Sequence, residues 1–226
     1  FLSSRGIDAV VAGHPLTDNI PDDVTFKKID PKNMTIALLP GSRRSEIHRI
    51  LPAMLEAADI LCRSRGGNIR FILAESSNVP REIYDSFLLS HRNLPIKRMT
   101  DSAVSALEEC DFAFVTSGTA TLETALMLRP FIILYSSSVF TAFFCWLLIK
   151  IKYIGLANII AGKEVAPELL QDKATAENIV KAFSDIVNSE KRLAEISESL
   201  ASVKRLIGGK KAPARAARAI SDFLGI

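Results

Sequence analysis

The stretch Ser117-Gly118-Thr119-Ala120-Thr121-Leu122-Glu123 carries the clearest chemistry in the chain. It follows an apolar run at 111–116 that reads as a buried strand. It opens a run of Leu122, Ala125, Leu126 and Leu128 that reads as a helix. A strand that restarts as a helix through small residues leaves free N–H groups converging on one spot, and that spot attracts phosphate. Glu123, one turn into the helix, has a carboxylate able to accept hydrogen bonds from sugar hydroxyls. A nucleotide-sugar site needs both features. Gly41-Ser42-Arg43 forms a second strand-to-helix turn. There Gly41 lets backbone come close to a ligand, Ser42 offers a hydroxyl and Arg43 a bidentate donor fork. Each turn alone is equally consistent with a capped helix: Ser42, Ser45, Ser117 or Thr119 would be the cap, and Glu123 would simply favour the helix dipole. Two such turns in one sheet favour a diphosphate site. A third segment, 153–162, reads as an apolar loop bracketed by glycines, and Asn158 within it is costly to bury without a partner. That partner is either its own backbone or a ligand.

The surrounding pattern supplies the elements that position these turns. Short strands are expected at 7–13, 35–39, 69–74, 95–97, 111–116 and 130–135. Ile47, Ile50, Leu51, Met54, Leu55, Ala58 and Leu61 recur at helical spacing and end before Gly66-Gly67. Further helices are expected at 80–89, at 101–109 with Asp101 as cap, and at 139–151, 175–187, 190–206 and 212–224, with a helical turn at 167–171. Continuously apolar strands alternating with helices argue for an α/β fold, a doubly wound parallel sheet covered on both faces. Its ligand turns lie at the carboxyl ends of the strands.

The totals exclude several classes. With 226 residues, 48% hydrophobic and 23% charged, the chain can bury a substantial core. A net charge of +3 without basic tracts interleaved with aromatics does not point to nucleic acid. Cys62, Cys110 and Cys145 are far apart and lack neighbouring His, which argues against zinc and a disulfide framework and suits a reducing cytoplasm. GxxxxGK[ST], GxGxxG and Asp-x-Asp patterns are absent, which argues against a P-loop, NAD and a metal held with the sugar nucleotide. The chain opens on Phe1 with no leader pattern, as if it began inside a longer protein. The apolar run 139–151 is shorter than the roughly 20 residues a bilayer span requires.

Three segments then occur in a characteristic order and spacing: Leu38-Leu39-Pro40-Gly41-Ser42-Arg43, Ser117 to Glu123, and Leu156-Ala157-Asn158-Ile159-Ile160-Ala161-Gly162, followed by Glu168-Leu169-Leu170-Gln171. Together with Gly13-His14-Pro15-Leu16 and Asp18, they closely resemble the lipid-A-disaccharide synthase family over nearly the whole chain. Ser-Gly-Thr-x-x-x-Glu alone is shared by other glycosyltransferases.

The resemblance implies an inverting, metal-independent glycosyltransferase of two Rossmann-like domains, with no cofactor. It implies the joining of UDP-2,3-diacylglucosamine to 2,3-diacylglucosamine 1-phosphate. On that basis 1–34 is the end of an amino-terminal domain and a linker, 35–206 the UDP-binding domain and 207–226 a carboxyl-terminal helix. The general base would lie outside the chain, which alone is expected to be inactive. Arg43 would stabilise the leaving diphosphate, helped by N–H groups at Ser117, Gly118, Thr119 and Ala120, with Gly41 and Ser42 among the substrate-binding residues. Glu123 would hold the ribose, Asn158 and Ile159 would touch phosphates or the transferred sugar, Gln171 would be a further substrate-binding residue, and Met99, in a loop after its strand, would lie near uracil. Acylated substrates imply work at a membrane surface, with 139–151 as an interfacial patch, a core helix or a homodimer contact. The expected location is the cytoplasmic face of the inner membrane of a Gram-negative-type bacterium. Other readings are a UDP-GlcNAc epimerase, a peptidoglycan GlcNAc transferase, or a non-catalytic UDP-binding fragment.

Overall fold

The computed structural model describes residues 3–65, 68–100, 102–136 and 152–225. Its centre is a six-stranded parallel sheet in the order β3-β2-β1-β4-β5-β6. The strands are β1 (Met34–Leu39), β2 (Ile69–Ala74), β3 (Ile96–Met99), β4 (Phe112–Thr116), β5 (Phe131–Tyr135) and β6 (Glu168–Leu170). β4 is buried at every position, as a strand covered on both faces must be. The helices are α1 (Arg44–Ser64), α2 (Arg81–Leu88), α3 (Ala103–Glu109), α4 (Thr119–Leu126), α5 (Leu156–Ala161), α6 (Ala176–Val187), α7 (Glu190–Ile207) and α8 (Ala212–Leu224).

Helix α1 buries the apolar set expected from its period, from Ile47 to Leu61. α6 inserts Phe183 against Phe112 and Phe114, with ring centroids 5.0 Å and 6.1 Å apart and edge-to-face. Arg129 is buried and donates to the carbonyls of Leu107 and Thr25. Lys27 Nζ donates to the carbonyls of Glu108 and Cys110. These two cations complete the carboxyl end of α3, where free carbonyls and the helix dipole favour positive charge, and they strap the polar segment 20–30 onto the sheet domain.

The sheet order reverses between β1 and β4, the switch point where α/β sheets open a crevice. Leu39 pairs with Val115 across that point, so the turns leaving both strands stand side by side.

Four expectations need correction. Residues 7–13 form no strand, and Val10 and Val11 are 75% and 89% exposed. Alternation and β-branching cannot make a strand that lacks a partner ladder among the described residues. Residues 156–161 form a short helix rather than a loop, because its amino end is capped by Glu168, a residue distant from it in the sequence. Residues 168–170 form the edge strand β6 through pairing with β5, and the helical turn begins only at Gln171. The strand at 95–97 extends to Met99, so Met99 lies in β3 rather than in the loop after it. The expected helix 139–151 lies outside the described residues.

Candidate active site

A cleft of about 480 Å³ opens at the carboxyl end of the sheet, across the switch point. Gly41, Ser42, Arg43, Ser117, Gly118, Thr119, Ala120 and Glu123 all line it, so both strand-to-helix turns meet in one cavity. Met99, Asn158, Ile159 and Gln171 do not line it.

The amino ends of α1, α3 and α4 face this cleft, and each has a different cap. At α3, Ser102 Oγ accepts from Ser105 N at 3.1 Å. At α1, the Glu46 carboxylate turns back: Oε2 accepts from Ser42 N at 2.9 Å and Arg43 N at 3.2 Å, and Oε1 receives Arg43 Nη1 at 2.7 Å. At α4, the cap is Gly118 with no side-chain bond. α4 is therefore the amino end without a side-chain cap: Thr121 N donates to the Gly118 carbonyl at 3.2 Å, and the N–H groups of Thr119 and Ala120 are left to carry the positive end of the dipole.

Around α4 the neighbouring polar groups are mostly committed. Ser117 Oγ donates to the Ile154 carbonyl at 3.2 Å. Thr121 Oγ1 donates to the Gly118 carbonyl at 2.7 Å and accepts from Leu156 N at 3.2 Å. Thr116 is the exception. It is 5% exposed, lines the cleft at the end of β4, and its hydroxyl has no partner among the described residues. A buried orphan hydroxyl is uncommon in a folded chain and marks a place where a ligand can complete the bonding. Glu123 lines the same cleft from α4, and burial raises its carboxyl pKa above the ordinary value.

The far end of the cleft is held rigidly. The buried Glu75 pairs with Arg98, which also binds Asp85 at 2.5 Å. Tyr84 Oη accepts from Ser76 N at 2.9 Å. Glu75, Ser76 and Ser77 therefore line the cleft from a fixed loop after β2, with Thr100 beside them after β3.

Some expected roles change. Gly41 has φ 108°, open to glycine but strained for other residues, and Glu46 packs closely against it. A Cβ there would overlap Glu46 Oε2 and lie 2.9 Å from Glu46 Cβ. Arg43 stands at the mouth with its side chain 78% exposed, tied to Glu46. Asn158 is fully buried and its amide is fully used. Nδ2 donates to the Ala166 carbonyl and Glu168 Oε1, both at 2.8 Å, and Oδ1 accepts from Val165 N at 2.7 Å and Ala166 N at 3.0 Å. It has nothing left for a phosphate. Its job is to lock α5 to β6, and through Ile154 and Leu156 to hold the α4 turn. Ile159 is 49% exposed on α5, and Gln171 begins the turn after β6. Glu46, Thr116 and Glu75 are site residues that the sequence reading missed. Only Glu46 left a trace, an acid three residues into a helix, the second half of a capping box.

Among the described residues no cluster of His, Cys, Asp and Glu is placed to hold a metal, and no helix is long and apolar enough to cross a membrane.

Solved structures share this fold. S. aureus MnaA, solved with UDP, superposes at TM-score 0.63 with 17% identity, over 99% of this chain and 56% of that one. CalG4, the calicheamicin glycosyltransferase, superposes at 0.55 with 14% identity, over 88% and 44%. The fold is thus the Rossmann-like domain found in glycosyltransferases. The Lipid-A-disaccharide synthetase family model matches residues 1–220, and the chain belongs to that family. The lipid-A-disaccharide synthase of Geobacter metallireducens is 34% identical over the whole chain, which spans 60% of that relative's length.

Proposed function

We propose that this chain is the donor-binding part of a lipid-A-disaccharide synthase and holds the UDP portion of an acylated UDP-glucosamine. The open α4 amino end, with orphaned Thr116 on one side and desolvated Glu123 on the other, carries this reading. The diphosphate takes the α4 N–H groups, and Glu123 accepts from the ribose hydroxyls. In the transfer step a hydroxyl of the acylated glucosamine phosphate acceptor attacks the anomeric carbon from the face opposite UDP. The carbon–oxygen bond to the diphosphate breaks, and its electron pair leaves with UDP. The α4 amino end and Arg43 stabilise that charge. The acceptor's proton passes to a base supplied from outside this chain. Acylated substrates imply work at the cytoplasmic face of a membrane.

The ribose role has a distinct signature in Glu123→Gln. Because burial in the folded state raises the Glu123 pKa above its ordinary value, the ionised form costs stability at neutral pH. That cost disappears as pH falls through the raised value. Glu123→Gln should therefore raise Tm at neutral pH, with the gain shrinking on acidification, while calorimetry shows UDP binding weakened by about tenfold. Wild-type affinity should also fall as Glu123 is protonated. Unchanged UDP affinity in the variant would remove Glu123 from the site.

A further inference from the structure

We propose that Glu46 is a built-in occupant of the anion position at α1: it excludes phosphate from the Gly41–Arg43 turn, leaves the α4 turn as the phosphate seat, and tethers Arg43 between them. The inference deepens the reading of the cleft as a nucleotide-diphosphate site and rests on it for the identity of the ligand.

A single carboxylate supplies what a phosphate would supply at α1. Its two oxygens accept both N–H groups of the turn and the Arg43 guanidinium. The turn is shaped around it, since at Gly41 any side chain would collide with Glu46. With Ser102 capping α3 through Ser105 N, an anion entering the cleft finds α4 as the amino end without a side-chain cap. The unpartnered Thr116 hydroxyl beside it is an independent sign that a ligand belongs there. Glu46 is thus a positioning residue. It decides which of two adjacent helix ends receives the diphosphate, and it holds Arg43 at the mouth while leaving other guanidinium N–H groups to meet the leaving group.

The test is a titration of the 226-residue chain with inorganic phosphate, followed by backbone amide shifts, in wild type, Glu46→Gln and Glu46→Ala. Glu46→Gln keeps an acceptor for the turn and guards against loss of the fold. In wild type, phosphate should shift the amides of 117–120 and leave Ser42 and Arg43 unmoved. In both variants Ser42 and Arg43 should also shift, with phosphate bound there roughly fivefold or more tighter than in wild type, the scale of one charge removed from a helix end. Wild-type shifts at Ser42 and Arg43, their absence at 117–120, or no gain in either variant would overturn the proposal. UDP added to the same samples tests the ligand separately. If UDP fails to bind while phosphate follows the expected pattern, the nucleotide reading falls and the role of Glu46 stands.

Discussion

Asn158→Ala should destabilise the chain by about 3–5 kcal/mol, a Tm loss on the order of 10 °C. The side chain is wholly buried and satisfies the N–H groups of Val165 and Ala166, the Ala166 carbonyl and one oxygen of Glu168. Truncation strands these groups away from water, and each stranded group costs on the order of 1–3 kcal/mol. Asn158→Asp should do little better. It loses the donor to Ala166 and sets a carboxylate against that of Glu168, which already holds the N–H groups of Ile154 and Gly155. Thermal or denaturant unfolding of both variants decides the matter. A ligand contact would give the opposite result, near-normal stability and weakened UDP binding.

Gly118 separates fold from function in the reverse sense. Its backbone is extended, at φ 160° and ψ −159°, which other residues adopt without strain. A Cβ placed there meets nothing within 4 Å. The protein's own packing therefore does not require glycine. A diphosphate at the α4 amino end does, because its oxygens must come against the backbone. Gly118→Val should cost no more than about 2 kcal/mol of stability, the scale of a poor residue at a helix N-cap, and leave the chain folded. It should weaken UDP binding by roughly tenfold or more, about 1.4 kcal/mol. Calorimetry and a melting curve on one preparation give both numbers. A folded Gly118→Val chain that binds UDP normally would move the phosphate site elsewhere.

The elements easiest to read from sequence were those whose signal is local. β4 and β5 are apolar throughout because both faces are covered, and α1 repeats its apolar residues every three or four positions. The two turns in the cleft were visible for the same reason: strand, small residues and helix follow one another directly. What escaped depended on distant partners. α5 is a helix because Glu168, across a loop, caps it, and β6 is a strand because β5 lies beside it. Asn158 was correctly seen as too polar to bury idle, but composition cannot tell a protein partner from a ligand. Gly41 reads as making room for a ligand, and sequence alone does not reveal that Glu46 packs against it as well. The Thr116 hydroxyl left no trace in sequence, since its lack of a partner exists only once the sheet is assembled.

The central claim is that the open α4 end is the diphosphate seat of a UDP cleft. It is tested most directly by titrating the wild-type chain with UDP and following its amide resonances. Shifts should concentrate at 117–120 and Glu123, extend to Thr100 and Ser76 on the opposite rim, and spare α5 and the Val165–Ala166 pair. Saturable shifts centred on Asn158 and Gln171, with 117–120 unmoved, would contradict it.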